Sequence, residues 1–374
     1  MLVHKLKMEL IFIVTLMCFL APVQQAHIPG ATISDLSFKN MDFAMNLYRK
    51  ISSYHDKNIF FSPLSISTSF AALLMASDGV THQEILKGLN LEQLERADQP
   101  QLIPTLFKLL HENITQNGSL KLDQGMALFT HQQFLVEKAF EDQIKTFFDA
   151  DIKRVNFADT TESINFINEY IKQKTQNKVT DMISSLDAQT QVMLIDTIFF
   201  QGGWQKTFNS NHTTNAPFYI DNYNIVQVPM MFLEDKFYTM EDAPLGARVL
   251  KLPYLEGVSM LILLPNKGID YTEIDDGITA ERFLSWIKKL QKINSANLTK
   301  LSNQYGLKVS EVLHKAVIKV DETGTTAAAA TTSGIIPYSL PRTFTINRPF
   351  FFFIYHEDTN CLLFMGRVID PTKN

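Results

Sequence analysis

Nine histidines and two cysteines are the side chains of this 374-residue chain best suited to metal or nucleophilic chemistry, and their spacing suits neither. No G-x-S-x-G, H-E-x-x-H, P-loop or C-x-x-C pattern occurs. An enzyme, a metal or a cofactor therefore has no support in the sequence. The most informative residues form another pattern: Glu322-Thr323-Gly324-Thr325-Thr326-Ala327-Ala328-Ala329-Ala330-Thr331-Thr332, directly after the strand-like run 315–320. After Glu322 it carries no charge. Alanine favours helix and threonine favours strand, so local propensity decides nothing. Side chains this small can stay exposed in one state and enter a sheet in another, as a conditional strand must.

Two further chemistries are local. Asn113, Asn117, Asn211 and Asn297 each open an N-x-Ser/Thr sequon for glycosylation. That chemistry requires secretion, and residues 1–26 read as a secretory signal. Lys5 and Lys7 precede the apolar run Leu10–Leu20, which is short for a membrane span, and small or polar residues follow up to Ala26. Cys18 leaves with this segment. Cys361 is then a lone thiol, either buried and inert or open to mixed disulfides.

These residues must be positioned by a large core. The chain is 45% hydrophobic and 20% charged, with a formal net charge of -5 and no conspicuously basic face, which argues against nucleic acid. Apolar spacing predicts helices over 37–51, 83–89, 101–112, 162–174 and 281–289. A short strand at 59–61 should stop at Pro63 and re-enter a helix. Strands are expected over 120–129, 192–200, 247–252, 258–264 and 315–320. The nearly all-apolar run 192–200 should be buried on both faces. Three more strands fill 343–369, broken at 357–360 and at Gly366. The pattern is α+β in one domain, 27–374, without repeats.

Several stretches, in order, resemble the serpins, the serine protease inhibitors. They are Asn58-Ile59-Phe60-Phe61-Ser62-Pro63-Leu64-Ser65, Asp196-Thr197-Ile198-Phe199-Phe200-Gln201-Gly202-Gly203-Trp204 and Val249-Leu250-Lys251-Leu252-Pro253-Tyr254. His314-Lys315-Ala316-Val317, Asn347-Arg348-Pro349-Phe350 and Leu363-Phe364-Met365-Gly366-Arg367-Val368 complete the set. The likeness covers almost all of the chain after Ser37 and is nearest the secreted, antitrypsin-like group. It implies three β-sheets, surrounding helices and an exposed reactive loop at about 322–342. Glu322, Gly324, Thr325 and Ala327, Ala328, Ala329 and Ala330 correspond to the hinge that enters the sheet. The family count of sixteen residues beyond Glu322 makes Tyr338-Ser339 the bond offered to the protease. A tyrosine there suits an apolar primary pocket of the chymotrypsin type, and the pair also resembles the bait of a serpin acting on coagulation proteases.

The resemblance further places Ser62, Ser65, Asp196 and His314 where the sheet opens, and Trp204 near the end at which insertion starts. Asp196 stands where many members carry Asn, and beside His314 it would favour imidazolium. The chain departs from the pattern near 292–295. About thirty residues are absent there, including an edge strand of the loop-accepting sheet and a short covering helix. The run 315–320 should then have one unpaired side. The implied function is a secreted inhibitor of an extracellular serine protease, with no membrane partner and with or without a protein cofactor. The alternatives are a non-inhibitory serpin, such as a plasma hormone carrier, and an inactive splice or gene-model variant. No glycosaminoglycan site is assigned.

Overall fold

Chain segments with helical apolar spacing lay their stripes on two of the three sheets in the computed structural model, which describes residues 31–115, 121–175, 177, 179–235, 237–292, 314–318 and 342–373. At 121, 123, 291–292, 314–318 and 342–343 the description is of the backbone. The signal-like segment 1–26, the gap at 293–295 and nearly all of the loop at 322–342 lie outside the described residues. Contacts divide the chain into two units, Met1–Thr32 and Ile33–Asn374, and all the elements below belong to the second.

A six-stranded antiparallel sheet carries the main core. Its order is β1 (Ile59–Phe61), β13 (Leu362–Val368), β12 (Phe350–His356), β9 (Val258–Pro265), β8 (Ala247–Pro253) and β7 (Tyr238–Asp242). Helices α1 (Ile33–Ser52) and α8 (Ala280–Lys292) bring Met41, Tyr48, Phe283 and Trp286 against Leu261, Phe351 and Phe353. Apolar residues recurring three to four apart on α1 create that stripe. Every residue of β9 is buried, which explains its continuous apolar sequence. Arg367 is also buried. Its guanidinium meets Asp275 at 3.0 Å and the carbonyls of His55 and Lys57, so the charge is paired and its donors are satisfied.

Gly366 does not break the last strand, as the sequence pattern suggested, but lies within β13. A Cβ there would sit 1.9 Å from the Ile59 carbonyl oxygen, so glycine is what lets β1 pair with β13. The break at 357–360 is a turn, with Asn360 at φ 53°.

The second sheet has three strands, in the order β3 (Asp151–Val155), β2 (Lys121–His131) and β4 (Val192–Gln201). On one face Ala127, Phe129 and Ile195 pack against Ile167 and Ile171 of α6 (Thr160–Lys174). Met126 instead packs with Ala72 of α2 (Pro63–Met75) and Ile144 of α5 (Lys138–Phe148). Two further helices, α3 (Gly79–Gly88) and α4 (Leu102–Thr115), complete this half, and the one-turn α7 (Thr272–Asp275) precedes α8.

β4 is less buried than its sequence predicts. Only Ile195 and Thr197 are fully buried, and both ends are exposed. It stands at the end of its sheet, and no strand lies beyond it among the described residues.

The third sheet orders β11 (Arg342–Thr345), β10 (His314–Ile318), β6 (Ile225–Asp235) and β5 (Thr214–Tyr219). Here a second expectation fails. The run beginning at His314 has no unpaired side: β10 is antiparallel to β6 and parallel to β11. Backbone donors and acceptors demand partners, and these two strands supply them. Of the elements at 138–155 and 214–242, left unassigned from sequence, β3 pairs with β2, β5 with β6 and β7 with β8.

Candidate functional site

The site begins at the start of α2. Ser62 caps the helix, its Oγ accepting from the Ser65 N–H at 3.2 Å while donating to the Leu363 carbonyl of β13 at 2.7 Å. Pro63 follows at the first helical position, where its missing N–H costs nothing. The cap aims Ser65 at β4, and its Oγ donates to Asp196 Oδ2 at 2.9 Å. Ser69, one turn on, reaches the same oxygen at 3.4 Å, and Gln124 Nε2 of β2 reaches it at 3.1 Å. Three of the expected residues, Ser62, Ser65 and Asp196, are therefore brought together. They tie α2 to β2, β4 and β13.

Ser69 and Gln124 were not foreseen. Ser69 shares the helix face of Ser65 four residues later, a signal the sequence did contain. Gln124 is placed by the β2–β4 ladder, which pairs it with Ile198, and nothing local announces that. His314, in contrast, starts β10 in the third sheet, and its side chain lies outside the described residues.

Burial raises the Asp196 carboxyl to about 7, against the opposing pull of Ser65, Gln124, Ser69 and the Thr197 backbone. Asp196 Oδ1 is shielded from water and has no hydrogen-bond partner among the described residues. Beyond Gln124 stands His111 of α4, whose imidazole is lowered by burial despite its bond to Gln124. A cavity of about 380 Å³ opens beside this end of β2, lined in part by Leu64, His111, Gln124 and Thr197.

Trp204 marks the other end of β4. Its ring stacks on Tyr254 with centroids 4.1 Å apart, and the two residues form a bridge that joins the end of β4 to the end of β8. A Cβ at Gly202 would lie 2.6 Å from the Phe200 ring and 2.9 Å from Tyr254, so this corner needs glycine. An aromatic band continues through Phe200 and Phe364 to Phe60, which stacks on Phe364 yet remains 67% exposed.

The loop itself is bracketed by β10 and β11, adjacent parallel strands with His314 opposite Arg342 and Val317 opposite Thr345. Glu322, Gly324, Thr325, Ala327, Ala328, Ala329, Ala330, Tyr338 and Ser339 lie outside the described residues, as do Asn117 and Asn297. Of the other sequons, Asn211 is exposed on a short turn, whereas Asn113 is half-buried within α4. Cys361 is buried, with its thiol pushed up to about 12 by burial, and Asn40 Nδ2 lies 3.7 Å from Sγ. That environment fits the inert reading of the thiol. Among the described residues, no group of three or more ligating side chains could hold a metal, and no helix is long and apolar enough to cross a membrane.

Three sheets with surrounding helices and the capped α2 beneath β4 are what the serpin motifs imply, whereas the place of β10 in the third sheet is not. The family profile described as Serpin (serine protease inhibitor) matches residues 38–296 and 292–371, and the chain belongs to that family. Mouse protein Z-dependent protease inhibitor is 34% identical over 369 residues, covering 90% of this chain and 82% of that protein. Rat alpha-1-antiproteinase is also 34% identical, covering 91% of this chain and 90% of that one. The crystal structure of the mouse protein Z-dependent inhibitor superposes with a TM-score of 0.76 at 32% identity, over 91% of this chain and 98% of that structure. Human thyroxine-binding globulin superposes with a TM-score of 0.75 at 27% identity, over 92% of this chain and all of the other.

Proposed function

We propose that the chain is a secreted inhibitor that offers Tyr338-Ser339 to a chymotrypsin-like or coagulation-type serine protease. Attack would give an acyl-enzyme on Tyr338, and the freed hinge 324–332 would enter the sheet beside β4 before water could release the protease. The observation that carries this reading is the position of β4. It forms a ladder on one side only among the described residues, and a strand of small side chains is what the mechanism would add on the other. The chain's own hinge supplies such a strand. Membership of the family and likeness to two inhibitors by name support it. The name of the protein Z-dependent relative adds a protein cofactor to the partners worth testing.

One observation favours a second reading. β10, which leads into the hinge, lies in the sheet with β6 and β11 and not beside β4. A hinge that starts from there has farther to travel, so cleavage would release an intact protease. Likeness to thyroxine-binding globulin shows that the same fold also serves a protein named for carrying a hormone. Incubation with a panel of chymotrypsin-like and coagulation proteases separates the readings. A complex resistant to SDS supports inhibition, cleavage after Tyr338 without complex supports the substrate reading, and an untouched 337–340 removes both.

Secretion rests on the Lys-flanked apolar run before Ala26 and on the sequons. Expression in a secretory cell should yield protein in the medium whose mass falls on glycosidase treatment, with Asn211 occupied. Protein that stays in the cytosol with Met1 intact would rule it out.

A further inference from the structure

We propose that Asp196 is a proton-operated latch between α2 and the three-stranded sheet, fastening them as a neutral acid and loosening them as a carboxylate. The inference does not depend on whether a protease is inhibited. It starts from the asymmetry of the two carboxyl oxygens. Oδ2 gathers Ser65 Oγ, Ser69 Oγ and Gln124 Nε2, and Oδ1 is shielded from water with no partner among the described residues. All three partners are uncharged. Uncharged donors offset only part of the cost of taking a carboxylate out of water, and an unsatisfied oxygen adds to that cost.

As a neutral acid, Asp196 places no charge in this cluster. A hydroxyl can accept as well as donate, so Oδ2–H can donate to Ser65 Oγ at the same 2.9 Å separation while Gln124 still donates to Oδ2. Protonation therefore keeps the link from α2 to β4 and β2 without a buried charge. Loss of the proton puts a charge between a helix and the strand that ends the sheet among the described residues.

The groups facing Asp196 are uncharged donors that favour the carboxylate, and burial outweighs them. α2 presents Ser65 and Ser69, and β2 presents Gln124. Behind Gln124 the titratable group is His111 of α4, which burial holds toward its neutral form. The carboxyl titrates at about 7, with burial as the leading cause, against an ordinary value of 3.8. A folded-state value above the unfolded one means the folded chain binds the proton more tightly. The stabilisation is then complete below about pH 4 and is lost as pH rises through 7. Neutral conditions sit on that slope, so modest changes in pH would alter the hold on β4.

Asp196→Asn is the direct test, since it keeps the shape and the hydrogen bonds and cannot ionise. Between about pH 5 and pH 8 the folding equilibrium constant of the unaltered chain should fall on the order of a hundredfold more than that of the Asn variant. Urea unfolding followed by tryptophan fluorescence reads this. Amide exchange in 63–75 and 192–201, corrected for the intrinsic effect of pH, should rise over the same range in the unaltered chain only. Where unfolding is irreversible or the variant does not fold, infrared spectra of the unaltered chain carrying ¹³C-labelled aspartate decide the matter. A protonated carboxyl band that persists at pH 6 and disappears by pH 8 supports the latch. Parallel stability and exchange profiles, or no such band at pH 6, would overturn it.

Discussion

As the proposed bait, Tyr338 would set the choice of protease in one side chain. An aromatic ring fills an apolar primary pocket, whereas a guanidinium pairs with a carboxylate at the bottom of a trypsin-like one. Tyr338→Arg should therefore move preference from chymotrypsin-like to trypsin-like proteases, read as a reversal in the ratio of their second-order rates with this chain. Cleavage mapped outside 337–340 would show the bait to be misplaced. A second residue-scale prediction concerns acid. Lys174 Nζ stands 2.7 Å from the Asp151 carboxylate and the Tyr170 hydroxyl donates to it, holding the acid down to about 2. A lowered value gives stability that is present above about pH 4 and lost as pH falls toward 2. Lys174 is half-exposed, so Asp151→Asn should cost about 1 kcal/mol or less at neutral pH. The gap between the urea midpoints of the two proteins should close as pH drops below about 4.

Strands and helices decide a different set of outcomes. β1 can pair with β13 only because residue 366 has no Cβ to meet the Ile59 carbonyl. Gly366→Ala must push the two strands apart, and overpacking of this kind costs about 1–3 kcal/mol or more. A lowered urea midpoint with slower or incomplete secretion is the expected result, and an unchanged midpoint would mean that β1 pairs differently. The hinge is also an element, but a conditional one. Thr325→Arg places a charge where the inserted strand would be covered, at a cost of several kcal/mol. Insertion should slow, and gels should show more cleaved chain and less SDS-resistant complex. Equal complex yield from both proteins would remove insertion from the mechanism.

At the scale of the whole molecule, the third sheet takes the strand that the family pattern assigns to the second. The family match arrives in two pieces that overlap at 292–296, and the described part of the three-stranded sheet ends at β4. Phe60 of β1, in the six-stranded sheet, is 67% exposed beside an aromatic band that reaches Phe200 of β4. Each Å² of apolar surface left in water forgoes about 25 cal/mol. Inserting a family-like strand and helix after Lys292 should raise solubility and melting temperature and increase the yield of protease complex. If the lengthened protein matches the present chain in all three measurements, the gap has no structural consequence.

By itself the sequence determined the class of fold, the family and the capped helix at Ser62-Pro63. Those depend on local signals: an apolar stripe on α1 and α8, a continuous apolar strand in β9, a serine cap followed by proline. It also determined the bait and hinge as candidates, since their evidence is residue type and count. Tertiary structure alone decided which strands are neighbours. Nothing in His314–Ile318 says that it pairs with β6 and β11, because backbone hydrogen bonding is indifferent to sequence and takes the partners that chain length and sheet geometry leave available. Nothing in Val192–Phe200 says that the strand pairs on one side only among the described residues, because burial belongs to what packs against a segment. Nothing around Asp196 announces its proton, since burial raises the carboxyl against the pull of Ser65, Ser69 and Gln124, which lie more than seventy residues away in the chain and reach it only when α2 docks under the sheet.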